Sequence, residues 1–309
     1  MILVAGSTGV LGSEICRRLR AGAKPVRALV RPSSQPEKVE QLRQLGCQIA
    51  VGDLKDRASL DAACRGVTAV ISTVTAVTTA KPGDSFEATD GAGTKALVDA
   101  ATHAGVTHFI FVSFDTSEVP DSPLARAKAD AEQHLKRAGI AYTILHPSLF
   151  MESWLGPMLF GDPAAGTARV YGDGSSRFDY VTVGDVAEVA VQCLENPAAR
   201  NATIPFGGPQ RLSQREAVEA FEKAFRKRFD VTEVPEAALA EQYRSAPDPF
   251  NKSFSALMLG IAKGCAMGGK LDQKAFPVRL TSVHEYVERL AALTNARISS
   301  GTPPGARRS

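Results

Sequence analysis

The sequence predicts an α/β protein built on a doubly wound parallel sheet, with a smaller C-terminal α/β region. Three observations carry that expectation. Short apolar runs alternate with amphipathic stretches through the first half of the 309 residues, the pattern left by successive βαβ units. Each amphipathic stretch is followed closely by a glycine, and three more glycines stand between the first apolar run and the helix after it.

In chain order, strands are expected at ILVAG, PVRALV, CQIAV, TAVIST, THFIFVS and AYTILH, each too short for a helix and rich in β-branched or aromatic residues. Helices are expected near residues 10–21, 36–45, 57–64, 85–104 and 124–138. Gly22, Gly46, Gly66, Gly105 and Gly139 then serve as stops, because glycine enters the left-handed region that other residues avoid. After Pro147 the rhythm loosens into the turn-rich GDPAAG and YGDGSS, a strand-like FDYVTV, a helix from about Asp185 to Leu194 and a strand at ATIPF. A later helix starts at Ser213 with Glu216 closing a capping box, and residues 231–269 read as mixed helix and loop. A final helix follows the cap Ser282, and residues 296–309 read as a disordered tail.

Composition bounds the function. With 44% hydrophobic and 22% charged residues the chain can bury a substantial core. A formal net charge of +3, with scattered lysines and arginines, gives no electrostatic reason to expect a nucleic-acid or membrane partner. The densest basic group, Lys223, Arg226, Lys227 and Arg228, reads as the solvated end of a helix. Cys16, Cys47, Cys64, Cys193 and Cys265 are far apart and form no CxxC, which predicts no structural zinc and suits a reducing compartment. Gly6 comes too early for the apolar core of a signal peptide, and no apolar run is long enough to span a membrane. A soluble cytoplasmic protein is expected, and its oligomeric state is open.

Gly6, Gly9 and Gly12 form GxxGxxG between a strand and a helix, the context in which such a motif binds phosphate. Gly6 permits the tight turn, Gly9 lets backbone N–H groups approach a pyrophosphate, and Gly12 lets helix and strand pack closely. Ser7, Thr8, Val10 and Leu11 share the turn and belong to the same expected site. The second strand ends ALVRPSS, where no acid lies nearby in sequence and Arg31 stands with Ser33 and Ser34. A carboxylate there would take a ribose 2′-OH, whereas arginine pairs with a 2′-phosphate, so NADP(H) is expected over NAD(H). Asp53 and Leu54, after the third strand, are placed at the adenine edge, although Asp53 is equally suited to capping the next helix. Thr73 and Val74, after the fourth, are placed beside the adenosine ribose.

These pieces, VAGSTGVLG, RALVRP, VGDLKDRASLDAACRGVTAVIS, THAGVTHFIFVS, AKADAEQHLKRAGIAYTILHPSLFMESWL and VTVGDVAEVA, resemble in order the NmrA-like family of atypical short-chain dehydrogenases, which includes isoflavone-reductase-like and NADPH:quinone-oxidoreductase-like enzymes. The resemblance spans roughly residues 1–215. It implies an NAD(P)-binding Rossmann fold over residues 1–150, followed over 151–295 by a mostly smaller substrate-covering region with elements that return to the sheet. The family also contains dinucleotide-sensing regulators without turnover, which would act through a protein partner.

Short-chain dehydrogenases usually place a serine on one strand and a Tyr-x-x-x-Lys pair on the following helix. The matching serine and lysine are Ser113 and Lys128, but Leu124 stands where the tyrosine belongs. Reduction of a simple ketone makes a strongly basic alkoxide that needs a positioned acid, whereas a quinone or enone gives a much weaker base and tolerates the loss. Leu124 also disfavours a sugar-nucleotide epimerase or dehydratase. Isoflavone-reductase-like members likewise lack the tyrosine, which implies a proton-handling role for Lys128 that is compatible with an i,i+4 pair to Glu132. Asp90 stands where many extended relatives carry asparagine. Ser113 is a substrate hydrogen-bonding candidate or simply a strand end. Pro147 begins a segment expected to pass the nicotinamide, with His146, Phe150 and Trp154 as candidate pocket residues; for His146, packing is the stronger alternative. The expected function is NADPH-dependent reduction of a small quinone, enone or related carbonyl compound, with a non-catalytic NADP(H) sensor as the alternative.

Overall fold

The computed structural model describes residues 1–77 and 84–299. Strands β1 (Ile2–Ala5), β2 (Val26–Val30), β3 (Gln48–Val51), β4 (Ala69–Ser72), β5 (His108–Val112) and β6 (Ala141–Pro147) alternate with helices α1 (Val10–Ala21), α2 (Pro36–Gln44), α3 (Arg57–Cys64), α4 (Thr94–His103) and α5 (Pro123–Arg137). Together with β9 (Ala202–Phe206) they form one seven-stranded, all-parallel sheet in the order β3-β2-β1-β4-β5-β6-β9.

Both faces of this sheet are covered, so its strands are apolar on both sides. Along β1, Ile2 and Val4 join the core beneath α1, α2 and α7 (Val183–Gln192), whereas Leu3 and Ala5 join the core beneath α3, α4 and α5. A third core is built from the C-terminal elements: α6 (Met151–Trp154), β7 (Thr167–Tyr171), β8 (Arg177–Phe178), β10 (Leu212–Ser213), α8 (Gln214–Phe225), β11 (Asp230–Val234), α9 (Glu236–Arg244), α10 (Pro249–Ala262) and α11 (Val283–Ser299). Helix α7 packs on α1, with Arg18 paired to Glu188, so this part of the later chain belongs to the first layer.

Several local expectations change. The predicted strand FDYVTV shrinks to β8, paired antiparallel with β10, because Thr182 begins a helix by accepting the Asp185 N–H through its hydroxyl at 3.1 Å. Strands β7 and β11 form a small parallel sheet that the sequence hid, since charged residues such as Arg169 and Glu233 interrupt their apolar runs. The helix expected over 85–104 begins as a π-helix over Phe86–Gly93 before continuing as α4. Gly46, Gly66, Gly105 and Gly139 take positive φ as expected, but Gly22 has φ −82° and the left-handed residue after α1 is Ala23, at φ 55°. The capping box at Ser213 and Glu216 is present. Helix α11 runs to Ser299, through the first residues of the expected tail, and residues 300–309 lie outside those described. The basic group after α8 reads as anticipated: Lys227 donates to the Ala164 and Ala165 carbonyls and Arg228 pairs with Glu222. All five cysteines are buried thiols. No helix among the described residues is long and apolar enough to cross a membrane.

Candidate active site

The strand order reverses between β1 and β4, and the crevice at the carboxyl ends of strands around such a point is where open α/β sheets bind ligands. Gly6, directly after β1, has φ 79°, and a Cβ there would stand 2.6 Å from Thr73 Oγ1. The Gly9 N–H donates to the Gly6 carbonyl at 2.9 Å, and a Cβ on Gly12 would fall 2.2 Å from that same oxygen. The turn is therefore too tight for side chains at Gly6 and Gly12.

Gly9 caps α1 without a side-chain hydrogen bond, and no acid lies in the first turn. The first N–H groups of α1, which have no acceptor within the helix, thus meet solvent at the positive end of its dipole. Gly9 is exposed, Thr8 is half-buried, Val10 is 70% exposed and Leu11 packs partly on the core. This open, donor-rich cradle fits a pyrophosphate. Ser7 contributes differently: it is fully buried and its hydroxyl donates to the Leu29 carbonyl at 2.7 Å, tying the cradle to β2.

Beyond β2 the structure corrects the expectation that no acid lies near Arg31. Asp84, 53 residues later, accepts from the Arg31 guanidinium at 2.8 Å through Oδ2 and from Lys55 Nζ at 2.9 Å through Oδ1. That hydrogen bond pushes the Lys55 ammonium above its ordinary pKa. Ser34 closes the turn, accepting the Arg31 N–H at 3.0 Å. Asp53 is not the helix cap, because Asp56 caps α3, while the Asp53 carboxylate accepts the Lys55 N–H. Leu54 is buried beneath the π-helix, where a Cβ on Gly93 would approach its own Cβ to 2.8 Å.

Lys128 stands on the same rim. Its Nζ donates to the Val74 carbonyl at 2.9 Å, lies 3.1 Å from Asp90 Oδ1 and sits 4.8 Å from the centre of the Phe111 ring. Thr73, the residue before Val74, closes on Gly6, so the lysine of α5 and the glycines of the first turn meet at one loop after β4. Asp90, fully buried on the π-helix, also accepts the Ala76 N–H at 2.9 Å. The i,i+4 pair of Lys128 with Glu132 that the sequence allowed does not form, since Lys128 pairs with Asp90. Glu132 instead bonds His146 Nε2 at 2.8 Å, which engages that ring nitrogen in the interior beneath α5.

Ser113, just past β5, has a buried hydroxyl with no hydrogen-bond partner among the described residues. Pro147 ends β6 in register with Phe206. Phe150 and Trp154 do not join Lys128: Phe150 packs on the core of the α1 face, and Trp154 lines a small cleft in the C-terminal core with Leu149, Phe160 and Tyr171. Ala76, Phe86, Leu124 and Ala127 form a small apolar cluster between the loop after β4, the π-helix and α5, with Phe114 and Leu257 against them. Leu124 is thus a buried member of a hydrophobic cluster in the tyrosine's place, and the Ser253 hydroxyl of α10 accepts its N–H at 3.1 Å.

Comparison with known proteins places this geometry. Residues 1–286 match the NmrA-like family. The chain belongs to that family. An NAD(P)H azoreductase of Xenophilus azovorans is 34% identical over 227 residues, 72% of this chain and 73% of that one. An isoflavone reductase homolog of Zea mays is 30% identical over 312 aligned positions, 93% of this chain and 97% of that one. The crystal structure of an NADPH-dependent quinone oxidoreductase of Escherichia coli complexed with NADPH shares the fold, with a TM-score of 0.75 at 21% identity, covering 94% of this chain and 99% of that one.

Within this NmrA-like chain, the residues that local reading missed come from distant segments. Lys55 had a signal, since it adjoins Asp53 and Leu54 in VGDLKD. Asp84 had none, because nothing near it in sequence marks it as the partner of a strand end 53 residues away.

Proposed function

We propose that this protein is an NADPH-dependent oxidoreductase that reduces a small quinone, enone or related conjugated carbonyl compound. The observation that carries the reading is the convergence, at the loop after β4, of the glycine cradle with a buried lysine that has no tyrosine before it. The names of the azoreductase, isoflavone reductase homolog and quinone oxidoreductase support the reductase class.

In this reading the first-turn N–H groups of α1 hold the pyrophosphate, and Arg31 with Lys55 meets the adenosine 2′-phosphate. Bound NADPH supplies a hydride to the substrate. Lys128, held by Asp90 and Val74, would offer its remaining N–H to the ribose and to the acceptor atom that gains charge. Ser113 offers a hydroxyl at the same level of the sheet, and Phe114, Leu124 and Leu257 keep water from that side. Leu124 cannot donate the proton that the usual tyrosine would, which limits the substrate to one whose reduced form is a weak base.

The test is NADPH oxidation against a panel of quinones and enones, followed at 340 nm. Turnover with at least one member and none with simple ketones is expected. Tight NADPH binding with no turnover across the panel would replace this reading with the sensor alternative.

A further inference from the structure

Arg31 and Lys55 reach one carboxylate from the ends of two neighbouring strands. Asp84 is the buried member, with 6% of its side chain exposed against 33% for Arg31 and 42% for Lys55. The carboxylate therefore lies beneath the two cations, whose outer sides face solvent at the carboxyl ends of β2 and β3. A 2′-phosphate approaching there meets two positive groups whose field is partly cancelled by the acid under them.

With Arg31 and Lys55 as the cations that meet the 2′-phosphate, we propose that Asp84 sets how strongly they discriminate, by balancing one of the two charges. The proposal rests on the NADP(H)-binding reading, which already assigns Arg31 and Lys55, and adds Asp84 to it. Lys55 supplies the second cation from the loop after β3, and Asp84 supplies a negative charge whose removal favours the phosphorylated cofactor. Three side chains from three separate loops then fix the preference, with the cradle at α1 binding both cofactors alike.

Titration with 2′,5′-ADP and with 5′-AMP separates this seat from the rest of the site, because the two probes differ only by the 2′-phosphate. Lys55→Met lowers 2′,5′-ADP affinity about tenfold, the consequence of losing one charged hydrogen bond. Asp84→Asn raises it by a similar factor, and neither variant shifts 5′-AMP binding by more than about twofold. The double variant Lys55→Met/Asp84→Asn restores the wild-type ratio to within a few-fold, since one cation then stands without a balancing acid.

An unchanged ratio in Lys55→Met, or a lower one in Asp84→Asn, overturns the proposal while leaving dinucleotide binding intact. Failure of both probes to bind the wild-type protein overturns the cofactor reading and this one with it. If Asp84→Asn does not fold, Lys55→Met decides alone, because that side chain is largely at the surface.

Discussion

Removing Lys128 tests whether its ammonium serves chemistry or only the fold. In Lys128→Met the carboxylate of Asp90 stays fully buried with the Ala76 N–H as its remaining donor. At 3.1 Å and an effective dielectric of about 20, the pair attracts by about 5 kcal/mol. Desolvation of both ions offsets much of this, so the measurable cost is that of orphaning a buried charge, about 3–5 kcal/mol. Loss of the contact over Phe111 is contained within that range. The double variant Lys128→Met/Asp90→Asn buries no charge and keeps an amide oxygen for Ala76, so it recovers most of the lost stability. Urea unfolding of wild type, both single variants and the double variant gives the cycle. NADPH turnover measured on the same four proteins gives the functional readout. Activity is expected to stay at least 100-fold down in the double variant although its stability returns, the loss typical of a removed proton-handling group. Recovery of turnover together with stability would refute the functional role of Lys128. A stable Lys128→Met would refute the energetics.

Three further outcomes follow from other parts of the fold. Thr143 donates its hydroxyl to the Ala199 carbonyl, so its oxygen accepts from His108 Nε2–H, and His108 Nδ1 is left buried without a hydrogen-bond partner among the described residues. Burial first, and Arg200 second, push His108 down to about 4. The unfolded chain therefore takes up this proton at higher pH than the folded one. Its contribution is fully present above about pH 6.5 and is lost on acidification toward about pH 4, amounting to about 3 kcal/mol. Urea unfolding at pH 7.5 and 4.5 is expected to show a smaller acid-induced loss in His108→Gln than in wild type, and equal losses would count against it. Ala23→Gly relieves a left-handed alanine after α1 and is expected to stabilise by about 0.5–1 kcal/mol, read as a raised Tm. Gly22→Ala, at φ −82° with its nearest neighbours 3.6 Å from the added Cβ, is expected to gain a similar amount.

The amino-acid sequence alone determined the first layer of this protein. Alternation of short apolar runs with amphipathic stretches is a local property, and it placed all six early strands and the helices between them, because both are set by neighbours a few residues apart. The glycine turn was legible for the same reason: Gly6, Gly9 and Gly12 act within one turn, and the structure shows the close contacts that exclude side chains from Gly6 and Gly12. Lys128 was singled out by the short-chain-dehydrogenase motif that the chain resembles, and the structure brings its ammonium to the Val74 carbonyl and Asp90.

What surrounds those residues was decided only by tertiary structure. Asp90 meets Lys128 because a π-helix brings it under α5, and Asp84 meets Arg31 across 53 residues. Phe150 and Trp154, adjacent to the rim in sequence, diverge into two different cores, whereas Phe86, Phe114, Leu124 and Leu257 converge from four segments into one cluster. A charge or an aromatic ring acts through space over distances that chain order does not encode. The cradle was therefore written in the sequence, while the Asp84 and Asp90 ion pairs and the apolar cluster on α5 exist only once distant segments meet in the fold.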